Sequence, residues 1–282
     1  MYISDTGSGP AEILRIGEQA IAVRRRGQAG RPVVLVHGNS CSSRCFERQL
    51  VSPLAARFRV VAIEMPGHGD SSRAAAPDET YTLPGYSSAL VAVAVELGLS
   101  DAVFVGWSLG GHVVVEASDR LPGAAGFFIV GTSPMASNAD VPRALSSDPA
   151  LLAGFREEST DEEVLALLTL FFRPGFGVPP SFVEDFRRTD KRARSSLAAS
   201  IARNEIRDEA HIVAQMNRPL AVVFGAHDAI ALRGHVDSLS MPTLWRSSVQ
   251  TVPEAGHAPH WENPEKFNRL LEDFVVDCSK SQ

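Results

Sequence analysis

The chain has 282 residues, 44% hydrophobic and 21% charged, with a formal net charge of -6. This composition excludes a disordered or low-complexity chain and leaves ample material for a buried core. The acidic balance gives no footprint for a polyanion. The one basic cluster, Arg187-Arg188 through Lys191-Arg192 and Arg194, lies among helix formers and reads as a solvated helix face, not a nucleic-acid patch.

In chain order, the first ten residues lack the basic segment and apolar stretch of a secretion signal. No later run is apolar for long enough to span a bilayer, so a cytoplasmic protein with no membrane partner is expected. Cys41, Cys45 and Cys278 are odd in number, which argues against a disulfide framework and for packing thiols in a reducing compartment.

Short β-branched runs at 33–36, 60–63, 103–105, 127–130, 221–224 and 249–252 read as strands. Because they are continuously apolar and separated by helical stretches, they imply a parallel sheet buried on both faces and an α/β fold. Helices are expected over 42–56, 83–97, 109–120 and 264–277. The last carries proline in its first turn and puts Phe267, Leu270, Leu271 and Phe274 on one face. From 133 to 215 the strand signal disappears, and leucine, phenylalanine and charge take over. That block reads as a helical cap inserted into a core made of residues 1–132 and 216–282. Its Phe155, Phe171, Phe172, Phe176, Phe182 and Phe186 suit either helix packing or the walls of an apolar pocket.

The chemistry centres on Gly106-Trp107-Ser108-Leu109-Gly110, where an apolar run ends and a helical pattern begins. Glycine costs backbone entropy in any regular element, so a pair flanking one serine calls for a reason. Here they let strand and helix backbones approach closely and hold Ser108 at the tip of a strained turn, as a pre-aimed nucleophile. The blander alternative is a helix start capped by serine.

A serine hydroxyl is a poor nucleophile near neutral pH, so the nucleophile reading requires a histidine base and a carboxylate to orient it. Asp228 follows a predicted strand at the carboxyl edge of the sheet, where sites of open parallel sheets lie, and Asp237 is its competitor. His257 lies in a loop after the last predicted strand, beside Gly256, with His260 as the fallback. His37 reads as a residue that fixes the loop after its strand. His112, one helical turn beyond Ser108, reads as a hydrogen-bonded core histidine. For the developing oxyanion, the backbone N–H groups of Asn39 and Leu109 are the expected donors.

Together, His37-Gly-Asn-Ser40, Met65-Pro-Gly-His-Gly-Asp-Ser71, the Ser108 turn, Asp228 and Ala255-Gly-His257 resemble the α/β-hydrolase fold superfamily over nearly the whole chain. Glu64 stands where many members carry aspartate. A closer resemblance is to the serine-dependent N-acyl homoserine lactonases. It is carried by His37-Gly-Asn-Ser40, Asp101-Ala-Val-Phe-Val-Gly-Trp-Ser-Leu-Gly-Gly-His112, Arg188 to Arg194, and Ala255-Gly-His-Ala-Pro259. The cap here contains no tyrosine, the three being Tyr2, Tyr81 and Tyr86, so no cap tyrosine is available to contact an acyl amide.

The resemblance implies a small-molecule ester or lactone substrate, an acyl-enzyme on Ser108, and a role in quorum quenching, with no cofactor. A metal site is not expected, since no His-x-His-x-Asp-His cluster occurs. The alternatives are a general carboxylesterase and, from another class, a ligand receptor that retains a hydrolase triad. Oligomeric state is left open by these residues.

Overall fold

The computed structural model describes residues 9–280, so most of the N-terminal stretch read above for a leader lies outside the described residues. Its eight strands are β1 (Glu12–Ile16), β2 (Gln19–Arg26), β3 (Pro32–Val36), β4 (Arg59–Ile63), β5 (Val103–Trp107), β6 (Gly126–Val130), β7 (Leu220–Gly225) and β8 (Gln250–Val252). They form one sheet in the order β1-β2-β4-β3-β5-β6-β7-β8. The last six are the expected runs, and they pair in parallel.

The hairpin β1-β2 is an addition to the expected sheet. It turns at Gly17-Glu18 and pairs antiparallel with β4. Its strands carry Glu12, Arg15 and Arg24-Arg25-Arg26, and only Ile21-Ala22-Val23 is fully buried. Edge strands tolerate that charge because one side faces water, so the continuous apolar signature of a central strand is missing.

Among the described residues seven α-helices reach seven residues or more: α1 (Leu83–Glu96), α2 (Leu109–Ala117), α3 (Asp161–Thr169), α4 (Pro180–Arg188), α5 (Lys191–Ala202), α6 (Glu209–Gln215) and α7 (Pro264–Lys280). Alternate strand residues feed two cores. Leu35, Val105 and Phe128 face the side covered by α7, while Val34, Phe104 and Ile129 face α1 and α2. On the α7 side, Phe128 meets Phe267 and Phe274 edge-on at 5.8 and 5.5 Å, as the spacing of that helix requires.

Two helical expectations need correction. Residues 42–56 form no single helix: a 3₁₀ turn at Ser43–Phe46 is followed by short helices at Glu47–Leu50 and Leu54–Arg57. Pro53 has no N–H to continue the ladder, and the chain breaks before it. The helix expected over 109–120 ends at Ala117 and tightens into a 3₁₀ turn at Ser118–Arg120.

Helices α3 to α6 lie between β6 and β7. Thr160 caps α3 by accepting the Glu163 N–H at 3.2 Å, while the Glu163 carboxylate accepts the Thr160 N–H at 2.9 Å. The basic cluster is paired: Arg187 meets Asp161, Arg188 meets Asp70, and Lys191 meets Glu158. Arg194 departs from the solvated-face expectation. It is buried over the Phe186 ring and donates to the Arg156 and Glu157 carbonyls at 2.9 and 3.1 Å. The three cysteines are free and buried. Among the described residues no helix is long and apolar enough to cross a membrane.

Candidate active site

Strand β5 ends at Trp107 and α2 begins at Leu109, so Ser108 alone turns the chain. It does so at φ 54° and ψ -119°, a conformation that L-residues rarely adopt. The flanking glycines make room for this turn. A Cβ on Gly106 would lie 2.1 Å from the Gly110 carbonyl oxygen, and one on Gly110 would lie 2.2 Å from that of Val36. The Ser108 N–H donates to the Val130 carbonyl at 2.8 Å, which ties the turn to β6.

Two other loops at the carboxyl edge of the sheet converge on the hydroxyl. His257 Nε2 lies 2.9 Å from Ser108 Oγ, and its Nδ1 lies 3.0 Å from both Asp228 oxygens. With the Nδ1 proton donated to the carboxylate, Nε2 is left as the acceptor for the serine hydroxyl. Asp228 is held in turn: its Oδ1 accepts the N–H groups of Ile230 at 2.9 Å and Ala231 at 3.1 Å. The indole of Trp107 donates to the His257 carbonyl at 2.7 Å, so the strand that presents the serine also fixes the histidine backbone.

The competitors fall away from this constellation. Asp237 is paired with Arg233 on the exposed surface of the chain between β7 and β8. His260 is buried against Trp107 and Phe46, and among the described residues neither of its ring nitrogens has a partner. Burial, the neighbouring His257 and Arg48 lower its pKa to about 3. His37 holds its loop as expected: Nδ1 donates to the Gly38 carbonyl, and Nε2 accepts the Met65 N–H at 3.0 Å. Burial, then His68, lowers its pKa to about 3, so the ring is neutral and able to accept.

Asn39 and Leu109 both line the cavity at Ser108. Among the described residues neither backbone N–H is taken by a protein acceptor, so both are free for an incoming oxygen. The cavity opens to solvent at its mouth. Its walls are apolar, with Met135, Leu145, Leu151, Phe155, Leu167, Phe171, Leu197 and Ile230, and its polar side chains gather near Ser108. Of the six phenylalanines singled out, Phe155 and Phe171 line this space. Phe172 and Phe182 pack edge to face with each other, and Phe182 also meets Trp107 and Trp261. Such an arrangement equips a hydroxyl to attack a carbonyl bearing an apolar chain.

Sequence reasoning missed three supporting residues. Gly131, at φ 56° just after β6, leaves the space that the His257–Asp228 pair occupies. Glu262 accepts the N–H of Gly256 at 2.6 Å and that of Arg173 at 2.9 Å, pinning the His257 loop to the chain after α3. Glu209 binds the ring of His112. A glycine closing a buried strand was a usable signal for the first; the two glutamates depend on contacts distant in sequence. Glu64, the departure noted above, accepts the Ser43 hydroxyl and the Asp70 N–H, and so serves the loop after β4.

Residues 33–270 match the Alpha/beta hydrolase family. The chain is similar to a pimeloyl-acyl-carrier-protein methyl ester esterase of Neisseria meningitidis serogroup A, 28% identical and covering 88% of this chain and 77% of that one. It is also similar to the solved structure of a serine-to-glycine mutant of the N-acyl homoserine lactonase AidH complexed with N-hexanoyl homoserine lactone. That likeness has 32% identity, a TM-score of 0.91, and coverage of 96% of this chain and 98% of the other. A thermophilic esterase from Thermogutta terrifontis shares the fold at 19% identity and a TM-score of 0.77, with 96% and 99% covered. A matched family over most of the sequence, with esterase and lactonase relatives, makes this chain a member of the alpha/beta hydrolase family and a hydrolase of carboxylic ester bonds.

Proposed function

We propose that this hydrolase opens the lactone ring of N-acyl homoserine lactones without a metal, through an acyl-enzyme on Ser108. The observation that carries the reading is the hydrogen-bonded series Ser108, His257, Asp228 at the base of an apolar cavity. The likeness to a lactonase structure with an acyl lactone bound supports the choice of substrate.

Ser108 Oγ attacks the lactone carbonyl carbon as His257 Nε2 takes its proton, and Asp228 stabilises the imidazolium that forms. The carbonyl oxygen becomes an oxyanion and is held by the Asn39 and Leu109 N–H groups. Collapse breaks the ring C–O bond, and the departing alkoxide takes the proton from His257. The leaving hydroxyl remains tethered to the acyl group, so water must reach the ester before the ring recloses. Water then attacks with His257 as base, and Ser108 is released with the hydroxy acid.

In this reading residues 133–215 form a cap over a core of residues 1–132 and 216–282, and the cap's Leu151, Phe155, Leu167 and Phe171 wall the acyl chain. Breakdown of acyl homoserine lactones would make the enzyme a quorum-quenching one. Free, buried cysteines support a reducing, cytoplasmic setting.

A second reading, a carboxylesterase of small esters, is favoured by the methyl ester esterase among the relatives. Assay of acyl homoserine lactones of several chain lengths beside methyl and aryl esters separates the two. Turnover of the lactones at efficiencies at or above those of the esters is expected; hydrolysis of the esters alone would leave the carboxylesterase.

A further inference from the structure

A second histidine-carboxylate pair lies beside the serine. His112 is one turn along α2, with its N–H directed at the Ser108 carbonyl at 3.4 Å, and it lines the same cavity as Ser108 and His257. Its Nδ1 lies 3.0 and 2.8 Å from the two oxygens of Glu209, which is fully buried at the start of α6. Glu209 is locked in place: Oε2 also accepts the Met135 N–H at 3.0 Å, and its own N–H donates to the Met135 carbonyl at 2.8 Å. The ring is therefore held by one nitrogen, and Nδ1 must carry a proton. Among the described residues, Nε2 has no protein partner, and it is not one of the sealed, unpartnered atoms of the interior.

Hydrolysis as outlined above makes no use of this pair. Burying a carboxylate and an imidazole in an apolar wall is costly, so a ligand-facing role gives the pair a reason to be there. Burial opposes the charged ring, but Glu209 and, one turn further along α2, Glu116 together raise the His112 pKa. Arg207 faces the same group: its N–H donates to Glu116, and its guanidinium pairs with Asp119. With Nδ1 committed to Glu209, a protonated ring presents Nε2–H to the cavity as a donor.

The other polar side chains near the serine are engaged. Asn39 Nδ2 donates to the Gly154 carbonyl at 2.7 Å, and the Ser40 hydroxyl donates to Asn39 Oδ1 at 3.2 Å. Tyr81 and Tyr86 are buried away from the cavity lining, and Tyr81 donates to Asp190. In its protonated form His112 is thus an open side-chain donor on a residue one helical turn, about 5.4 Å of rise, along from the nucleophile. In an acyl homoserine lactone the amide is attached to the carbon next to the scissile carbonyl, so its oxygen falls at comparable range from the attacked carbon.

We propose that His112 is a substrate-recognition residue whose Nε2–H donates to the carbonyl oxygen of an acylamino group adjacent to the scissile ester, selecting α-acylamino lactones and esters. This rests on the reading of Ser108 as nucleophile and deepens it by naming the chemical class selected. A site that hydrogen-bonds a substrate group discriminates against analogues lacking it, because the site's own donor is then left unpaired.

The test measures kcat/KM for two substrate pairs: a hexanoylamino lactone against the lactone with an alkyl chain of equal length, and a hexanoylamino methyl ester against its alkyl counterpart. Wild type, His112→Leu, His112→Gln and Glu209→Gln are compared, with thermal melts to establish folding. Wild-type preference for the acylamino member of each pair it hydrolyses is expected. His112→Leu should lower that preference by roughly tenfold or more, mainly through KM, and His112→Gln, which keeps a neutral donor, should restore part of it. Hydrolysis of the ester pair alone would overturn the lactonase reading and still test His112 through the ester ratio. An unchanged ratio in a folded His112→Leu protein, or activity lost equally on both members, would overturn the recognition role. So would loss of folding in His112→Leu together with an unaltered ratio in both His112→Gln and Glu209→Gln.

Discussion

Gly131 and His257 are in contact through the absence of a side chain: a Cβ on Gly131 would lie 2.8 Å from His257 Nδ1 and 3.1 Å from Asp228 Oδ2. The same glycine has φ 56°, which side-chain-bearing residues avoid. Gly131→Ala therefore carries two penalties. The backbone cost is about 1–2 kcal/mol of stability, and the methyl group displaces the imidazole from its two partners. A misplacement near 1 Å at a catalytic group costs about 10²-fold. Steady-state kinetics should show kcat down by about that factor with the protein still folded in a thermal melt. Wild-type kcat in the folded variant would mean that the histidine does not need its observed position.

Ser108→Ala separates chemistry from structure. Alanine keeps the Cβ and meets the same backbone strain that serine already bears at φ 54°. The lost hydroxyl points to His257, not into the packed core. We expect kcat to fall on the order of 10⁶-fold, as loss of a triad serine does in other hydrolases, with stability unchanged to within about 0.5 kcal/mol. Residual turnover within tenfold of wild type would identify another nucleophile.

The legible parts of this molecule are those where one physical demand dominates. The central strands β3 to β7 must be apolar on both faces, so 33–36 and 221–224 announce themselves, whereas β2 ends in Arg24-Arg25-Arg26 because it lies near a solvated edge. Ser108 is visible because the strained turn requires Gly106 and Gly110 around it. Asp228 and His257 follow from chain order and from their places after strands, and the structure sets both beside Ser108. Gly131 leaves a local trace as a glycine closing a buried strand, whereas Glu262 and Glu209 do not follow, since their roles arise from partners 89 and 97 positions away that no local pattern encodes. His112 was half legible: the sequence suggested a bonded core ring, and the structure adds a face open to the cavity.

Glu262 should control activity through geometry. Its carboxylate satisfies the N–H groups of Gly256 and Arg173, and removing it orphans two donors at the base of the His257 loop. Each unsatisfied buried donor costs about 1–3 kcal/mol. Glu262→Ala should lower the melting temperature and reduce kcat by more than it raises KM, since the loop carries the proposed base and not the proposed acyl pocket. Glu262→Gln retains one acceptor oxygen and should recover part of both losses. If Ala and Gln behave alike, with kcat unaltered, the pin has no bearing on the base.

His260 offers a test of stability against pH. It is fully buried, both ring nitrogens lack partners among the described residues, and burial lowers its pKa to about 3 against an ordinary 6.5. A group whose folded pKa is depressed binds protons more readily in the unfolded chain. Stability is therefore undiminished above pH 6.5 and falls as pH drops from there toward 3. His37 and His68, lowered to about 3 and 4, act in the same direction. Glu116 and Asp185, raised by burial to about 7 and 6, oppose them by taking up protons in the folded state. Wild-type acid sensitivity sums these effects, but a comparison with His260→Leu isolates one ring, because the other groups are common to both proteins. Each pH unit below 6.5 should favour the leucine variant by a further 1.4 kcal/mol or so, giving about 2 kcal/mol between pH 7.5 and pH 5. Denaturant unfolding of both proteins at those two pH values measures the difference, and an equal gap at both would show that the buried ring accepts a proton as easily as an exposed one.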